Sequence, residues 1–189
     1  MQLQYRQKAN GMYYLSTTDF DTISEMVLKE YIPKNLQTPQ PLPIDYLAQE
    51  CLFMEIKPAF LTVDRSIYGA TVFEDGEMPC YDHLFQPSKM IVQEGNMIPE
   101  RQLCSPETHH LMRFTKAHEA SHWICHRSYH DQSSRPFEFR REKPVYIACR
   151  QGNIQRYEKN AGKKRTDDEW EEWQADHLAA ALLMPRCVL

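Results

Sequence analysis

Two histidines and a glutamate near the middle of the chain have the types and spacing of a metal-dependent hydrolytic site. The segment His118-Glu119-Ala120-Ser121-His122 lies in a stretch whose pattern predicts a helix. Residues four apart project from one helical face, so both imidazoles can reach a single tetrahedral zinc ion. Glu119 can then sit over the open metal position and accept a proton from water. The pentapeptide also arises by chance, so its helical setting is what favours a site.

A catalytic zinc site needs a third protein ligand, and the sequence offers two places for it. His126 continues the series but lies too far along the helix axis to share the metal, so we interpret it as a supporting or loop-anchoring residue. On the last predicted helix, Glu172 and Asp176 begin a stripe that is otherwise apolar. A carboxylate on a buried stripe is costly unless it is paired or binds a cation. Glu172 is therefore the predicted third ligand, and Asp176 is predicted to accept a hydrogen bond from a ligating imidazole.

A simpler interpretation of Glu172 is that it only belongs to the acidic first turn of its helix, where a carboxylate is favourable near the positive end of the helix dipole. The other acids of that turn are Asp167, Asp168, Glu169 and Glu171. The groups that would stabilise an oxyanion are also left open. The polar candidates, each of which suits packing or the surface equally well, are Tyr129, His130, Tyr146 and Arg150.

The elements that must position these residues are helices around a small sheet. Periodicity, capping residues and prolines predict helices over about 19–31, 43–52, 105–127 and 166–184. Short strands are predicted over 53–57, 67–73, 78–83, 89–93 and 145–150. Asp75-Gly76 is predicted to join the second and third strands as a tight hairpin. This order predicts an α+β fold in a single domain over 1–189, with 1–40 as an N-terminal arm and helix.

Composition indicates an ordinary globular domain. The 189 residues are 42% hydrophobic and 25% charged, and the formal net charge of −4 gives no reason to expect direct binding of nucleic acid. The start of the chain lacks the apolar core of a signal peptide, and no apolar run has the length of a membrane span. Six scattered cysteines without a Cys-x-x-Cys pair are expected to be reduced thiols. We therefore expect a cytoplasmic protein without membrane association.

Charge is nonetheless uneven along the chain. From Arg127 to Arg165 there are eleven Lys and Arg residues against four Asp and Glu. A solvated loop surface is one interpretation of this basic stretch. The other is a docking surface for an acidic partner, or for a partner that is bound to nucleic acid.

Two segments together resemble the ImmA/IrrE family of metallopeptidases. The first runs from Arg113-Phe114-Thr115 through the motif to His126, and the family typically has Arg-Phe-Thr-x-Ala-His-Glu-x-Gly-His followed by a later histidine. The second, residues 172–185, reads Glu-x-x-Ala-Asp-x-x-Ala-Ala-x-Leu-Leu-Met-Pro and is similar to the second motif helix of that family. The chain departs from the family pattern by having Ser121 for glycine, Asp176 for asparagine and Leu178 for phenylalanine.

The resemblance implies a zincin-like α+β fold, in which a small antiparallel sheet packs against the motif helix and a C-terminal helix bearing a ligand. It implies zinc held by His118, His122 and Glu172, with Glu119 as general base. It further implies an endopeptidase that cleaves a helix-turn-helix transcriptional repressor at a specific site, in phage, mobile-element or stress regulation. Relatives usually continue past the Leu-Leu-Met-Pro ending, so we expect further sequence beyond Leu189. The rival interpretation is a catalytically silent, zinc-containing binding module that captures a regulator.

Overall fold

The computed structural model describes residues 3–131, 145–150 and 165–188, apart from the side chains of Cys149 and Arg150. Over these residues the chain is α+β, as the order of predicted elements indicated. Most of the basic stretch defined above, namely 132–144 and 151–164, lies outside the described residues, so its role as a docking surface stays a prediction. No helix in the described part of the chain combines the length and the apolar character needed to cross a membrane.

Helices supply the frame of the site. The α-helices of the described residues are α1 (Thr17–Tyr31), a short α2 (Ile44–Tyr46) that continues as a π-helical turn (Leu47–Cys51), α3 (His109–His130) and α4 (Asp167–Leu183). The predicted start of α3 at Ser105 needs adjustment, because Pro106–Thr108 first forms a 3-10 turn. The helix then runs one turn further than expected, through His130, and so carries all four histidines of the i, i+4 series.

The start of α4 is fixed by the predicted capping box. The Glu169 amide donates to the Thr166 hydroxyl at 3.2 Å, and the Thr166 amide donates to the Glu169 carboxylate at 2.9 Å. These two bonds satisfy amides that have no partner within the helix. Lys8 and Asn10 of the N-terminal arm also bind Asp167 in the first turn, at 3.0 and 2.7 Å. The N-terminal end of α4, which carries Glu172, is therefore held both by its own capping box and by the N-terminal arm.

The strands form one mixed sheet and one separate hairpin. They are β1 (Glu55–Ile56), β2 (Ile67–Val72), β3 (Gly76–Tyr81), β4 (Pro87–Val92), β5 (Asn96–Pro99) and β6 (Tyr146–Arg150). The sheet order is β1-β5-β2-β6, in which β1 runs parallel to β5 and the other neighbours are antiparallel. The hairpin consists of β3 and β4.

The predicted hairpin at Asp75-Gly76 is wrong. Strand β2 pairs with β5 and β6, whereas β3 pairs with β4 from Gly76 opposite Val92 to Tyr81 opposite Pro87. Asp75 instead accepts a hydrogen bond from the Glu94 amide at 2.8 Å, which ties the open end of the hairpin together. The turn residues at Asp75-Gly76 are compatible with pairing of β3 to either β2 or β4, and long-range packing favours β4. Strand β5 was missed because its four residues are all buried and show no alternation.

Strand β2 separates two cores, which explains how α3 comes to lie beside it. Ala70 and Val72 face the β3–β4 hairpin in a small apolar cluster with Met78. Thr71 and Gly69, on the opposite face of the strand, meet α3. Another face of α3 packs against α4 in the larger core. Side chains of α3 can therefore face either the sheet or α4.

The cysteines whose side chains are described are free thiols, in agreement with the expectation from sequence. Cys125 lies inside α3 and is 1% exposed. Burial raises the pKa of its thiol, so the group stays protonated and serves as packing.

Candidate metal centre

Three side chains meet in the interface between α3 and α4. His118 and His122 are fully buried on α3, and Glu172 is 8% exposed on α4. The Nε2 atoms of the two histidines are 2.9 Å apart. The Glu172 carboxylate places Oε2 3.6 Å from Nε2 of His118 and Oε1 3.5 Å from Nε2 of His122. Sequence reasoning selected the same three residues.

The geometry of these three residues fits a metal ion. Bonds of about 2.0–2.1 Å in a tetrahedral arrangement separate the ligand atoms by roughly 3.3–3.4 Å. The observed separations of 2.9, 3.5 and 3.6 Å lie on both sides of that value. Converging acceptors in a dry interior are costly unless a proton or a cation lies between them. The buried group of His118, His122 and Glu172 could therefore hold a metal ion.

Asp176 determines which ring nitrogen of His118 faces His122 and Glu172. Its Oδ1 lies 2.8 Å from Nδ1 of His118. An ionised carboxylate can only accept, so Nδ1 carries the hydrogen and a neutral His118 directs a bare Nε2 toward Glu172. The hydrogen bond that the sequence predicted for Asp176 is thus present, and its role in supporting a metal ligand stays a prediction.

Glu172 is not one of the solvated acids of the first helical turn. Burial opposes ionisation of its carboxyl, but interactions with His118 and His122 outweigh this effect and hold its pKa well below the usual range. Glu171, its neighbour, points elsewhere and meets His130. The ionised state and the position against two imidazoles are what a metal ligand requires, although ligation itself stays a prediction.

Glu119 is fully buried on the side of α3 that faces the sheet. Its Oε2 accepts a hydrogen bond from the Thr71 hydroxyl at 2.7 Å, whereas its Oε1 has no hydrogen-bond partner among the described residues. Burial raises the pKa of this carboxyl, while the neighbouring His118 and His122 oppose the increase. A carboxyl that is held through one oxygen, and whose other oxygen has no hydrogen-bond partner among the described residues, is suited to accepting and donating a proton.

Gly69 makes room for this carboxyl. A methyl group at Gly69 would stand 2.6 Å from Oε1 of Glu119 and 2.7 Å from Cγ2 of Thr115. Neither Gly69 nor Thr71 was recognised from sequence. The available signal was a glycine inside an otherwise well-filled strand, since such a residue often marks a close approach by another group.

His126 lies next to His122, and the supporting role expected for it stays a prediction. Its Nδ1 lies 3.0 Å from Nδ1 of His122, and its Nε2 lies 3.0 Å from Oε1 of Gln174. The side chain is fully buried, and burial holds the pKa of its imidazole well below the usual value. Gln174 was not recognised from sequence, because an amide among apolar residues has no characteristic spacing.

The described contacts of the oxyanion candidates are with other groups. His130 lies 2.6 Å from Oε1 of Glu171 and stacks on Phe73 at 4.2 Å between ring centroids. Tyr129 is buried beside it. Tyr146 packs with the small cluster on the hairpin side of the sheet. The side chain of the remaining candidate, Arg150, lies outside the described residues.

Comparison of the chain with protein-family models, with curated proteins and with solved structures gives no match. The interpretation of the centre therefore depends on its own geometry.

We expect the chain to bind one divalent transition-metal ion. His118→Ala or Glu172→Ala should weaken that binding by more than the roughly 10–100-fold typical of losing a supporting residue, because each removes a donor atom. Metal content after dialysis and competition with a chromophoric chelator measure the effect. His110→Ala, which removes an exposed histidine from the same helix, is the matched control. Equal metal occupancy in Glu172→Ala and the wild type would rule out Glu172 as the third ligand.

Gly69→Ala should destabilise the protein by about 1–3 kcal/mol, because the new methyl group overpacks a filled site. Denaturant unfolding provides the measurement. Gly76→Ala is the control, since its methyl group would meet Val145 at a less severe 3.1 Å. In a double-mutant cycle, Glu119→Ala should relieve part of the cost of Gly69→Ala. Strict additivity of the two changes would contradict the contact.

Proposed function

We propose that this chain is a zinc-dependent endopeptidase of the ImmA/IrrE type, with a zincin-like fold. Its ligands are His118, His122 and Glu172, and its general base is Glu119. The observation that supports the proposal is the buried group of two imidazole nitrogens and a carboxylate, together with a second buried carboxyl, Glu119, that interacts electrostatically with all three residues. A purely structural metal site has no use for that second carboxyl.

The donor set favours zinc over harder cations. Imidazole nitrogen is a ligand for zinc and for the later transition metals, whereas magnesium and calcium prefer sites made of oxygen. Three protein ligands leave a fourth position open, which is the arrangement of catalytic rather than structural zinc sites. The two-histidine, one-glutamate combination is the ligand set of several zinc peptidases.

Residues on two faces of α3 act together in peptide hydrolysis. When bound, zinc supplies Lewis acidity, which polarises a carbonyl and makes water more acidic. Glu119 accepts the proton of the attacking water and later donates it to the leaving amine. Thr71 holds Oε2 of Glu119 at 2.7 Å, which leaves Oε1 for the proton transfer. Asp176 keeps His118 in the required orientation.

We infer that an extended substrate pairs with the edge of the sheet. Strand β6 lies at one end of the order β1-β5-β2-β6, next to the strand that carries Thr71. A substrate segment added to an exposed strand edge gains main-chain hydrogen bonds and is aligned for cleavage. The resemblance to ImmA/IrrE peptidases suggests a cytoplasmic helix-turn-helix repressor as the substrate.

One observation favours the alternative of a silent, zinc-containing binding module. His118, His122 and Glu119 are all fully buried, as they would be in a structural site closed to solvent. The two functions differ in their need for Glu119. A binding module still captures its partner when Glu119 is replaced, whereas a peptidase no longer cleaves its substrate.

Glu119→Gln should retain zinc and lose peptide cleavage by roughly 10²–10⁴-fold, because the amide cannot accept the proton. Zinc content and turnover of a cleavable substrate are measured on the same preparation. Glu94→Gln, on an exposed glutamate, is the control. Cleavage at the wild-type rate by Glu119→Gln would exclude Glu119 as the base.

We expect selective cleavage of a helix-turn-helix repressor and little activity on casein, because a cytoplasmic protease needs a restricted range of substrates. The purified protein is incubated with zinc, a repressor encoded nearby and casein, and the fragments are followed by mass spectrometry. Glu119→Gln serves as the blank. Rapid degradation of casein would refute narrow specificity while leaving the peptidase proposal intact.

A further inference from the structure

A chain of buried hydrogen bonds connects His122 to the N-terminal arm, residues 3–15. Nδ1 of His122 lies 3.0 Å from Nδ1 of His126, whose Nε2 lies 3.0 Å from Oε1 of Gln174. Nε2 of Gln174 lies 2.8 Å from the main-chain oxygen of Tyr13. The three side chains are fully buried, so water does not compete for these bonds.

The last bond of this chain sets the direction of the others. The Tyr13 carbonyl can only accept, so the Gln174 amide nitrogen must donate to it. The Gln174 oxygen therefore faces His126 and accepts from Nε2–H. His126, fully buried and without a carboxylate in these contacts, is neutral and so has a bare Nδ1. His122 must then donate from its own Nδ1.

This direction has a consequence at the metal centre. A neutral His122 that carries its hydrogen on Nδ1 presents a bare Nε2 to Glu172 and His118. Asp176 imposes the same state on His118 through a single contact. The two histidines thus have the same tautomer, with the hydrogen on Nδ1, for different reasons. A carboxylate fixes it in His118, whereas an imidazole, an amide and a carbonyl in series fix it in His122.

The arm holds the terminal carbonyl firmly. Gln7 and Tyr13 form an antiparallel bridge around a turn at Gly11, whose φ of 90° is accessible to glycine. The Tyr13 hydroxyl donates to the Leu3 carbonyl at 3.1 Å. Asn10 binds Asp167 at 2.7 Å, which fastens the arm to α4 at a second point away from the relay.

We propose that Gln174 is a positioning residue of the metal centre, which orients His122 through His126 and takes its own orientation from the Tyr13 carbonyl. The N-terminal arm is thereby part of the metal site. This inference rests on the metal-binding part of the proposed function and is independent of peptidase activity. If Gln174 merely satisfied polar groups in the core, its loss would lower stability without changing metal affinity.

Histidine tautomers in the wild-type protein provide the first test. Long-range ¹H–¹⁵N spectra of ¹⁵N-histidine-labelled protein are recorded before and after addition of zinc. We expect His126 to carry its hydrogen on Nε2 and His122 on Nδ1 in the zinc-loaded protein. A hydrogen on Nδ1 of His126 would overturn the proposal. If the wild type binds no zinc, the proposed function fails, and the His126 tautomer in the metal-free protein still decides the direction of the relay.

Variants provide the second test. Gln174→Leu keeps the bulk but breaks both bonds of the amide, and should weaken zinc binding about 10–100-fold in chelator competition. Asn35→Leu is the matched control, because it removes another buried amide, which donates to the Gln40 carbonyl at 3.3 Å and belongs to neither the arm nor the relay, and it should change zinc affinity by less than about two-fold. His126→Phe should weaken binding similarly, and the double variant should lose little more, since both act in one chain. Wild-type zinc affinity in folded Gln174→Leu would overturn the proposal.

Discussion

The structure depends on one electrostatic constraint, which is that several ionisable groups are enclosed where helices α3 and α4 meet. His118, His122 and Glu119 are fully buried, and Glu172 is nearly so. Burial of such groups in a dry interior is costly unless they are paired or hydrogen-bonded. Three features keep the partners of these groups in place. They are the capping box of α4, the attachment of the arm to α4, and the space that Gly69 leaves for the Glu119 carboxyl because it has no side chain.

Helix geometry distributes these groups between two sides. Successive residues of an α-helix are turned by about 100° from one another, so adjacent residues face different surroundings. His118 faces α4, where Glu172 and Asp176 lie, while Glu119 faces strand β2 and meets Thr71. A helix packed between a sheet and a second helix can therefore direct an imidazole toward one of them and a carboxyl toward the other from consecutive positions. This explains why α3 must be enclosed rather than lie at the surface.

What could be predicted from sequence was local, and what was missed was the pairing between distant segments. The spacing of His118 and His122, and the carboxylates on the stripe of α4, sufficed to select residues that lie together in the structure. The hairpin at Asp75-Gly76 was wrong because turn residues do not determine which strand will be the partner. Gln174 has no periodic signature, and its importance becomes visible only once His126 and Tyr13 are seen on either side of it.

The series of histidines on α3 shows that spacing alone does not define a role. The helices are antiparallel, so positions that ascend α3 meet positions that descend α4, and the resulting pairs are His118–Asp176, His126–Gln174 and His130–Glu171. A carboxylate requires a donating nitrogen and tolerates a positive charge on the imidazole, whereas an amide can either donate or accept and gives a positive charge no ionic partner. The same residue type at the same interval thus meets three different environments. The partner that α4 places opposite each of these three histidines therefore differs, and spacing along α3 alone does not reveal it.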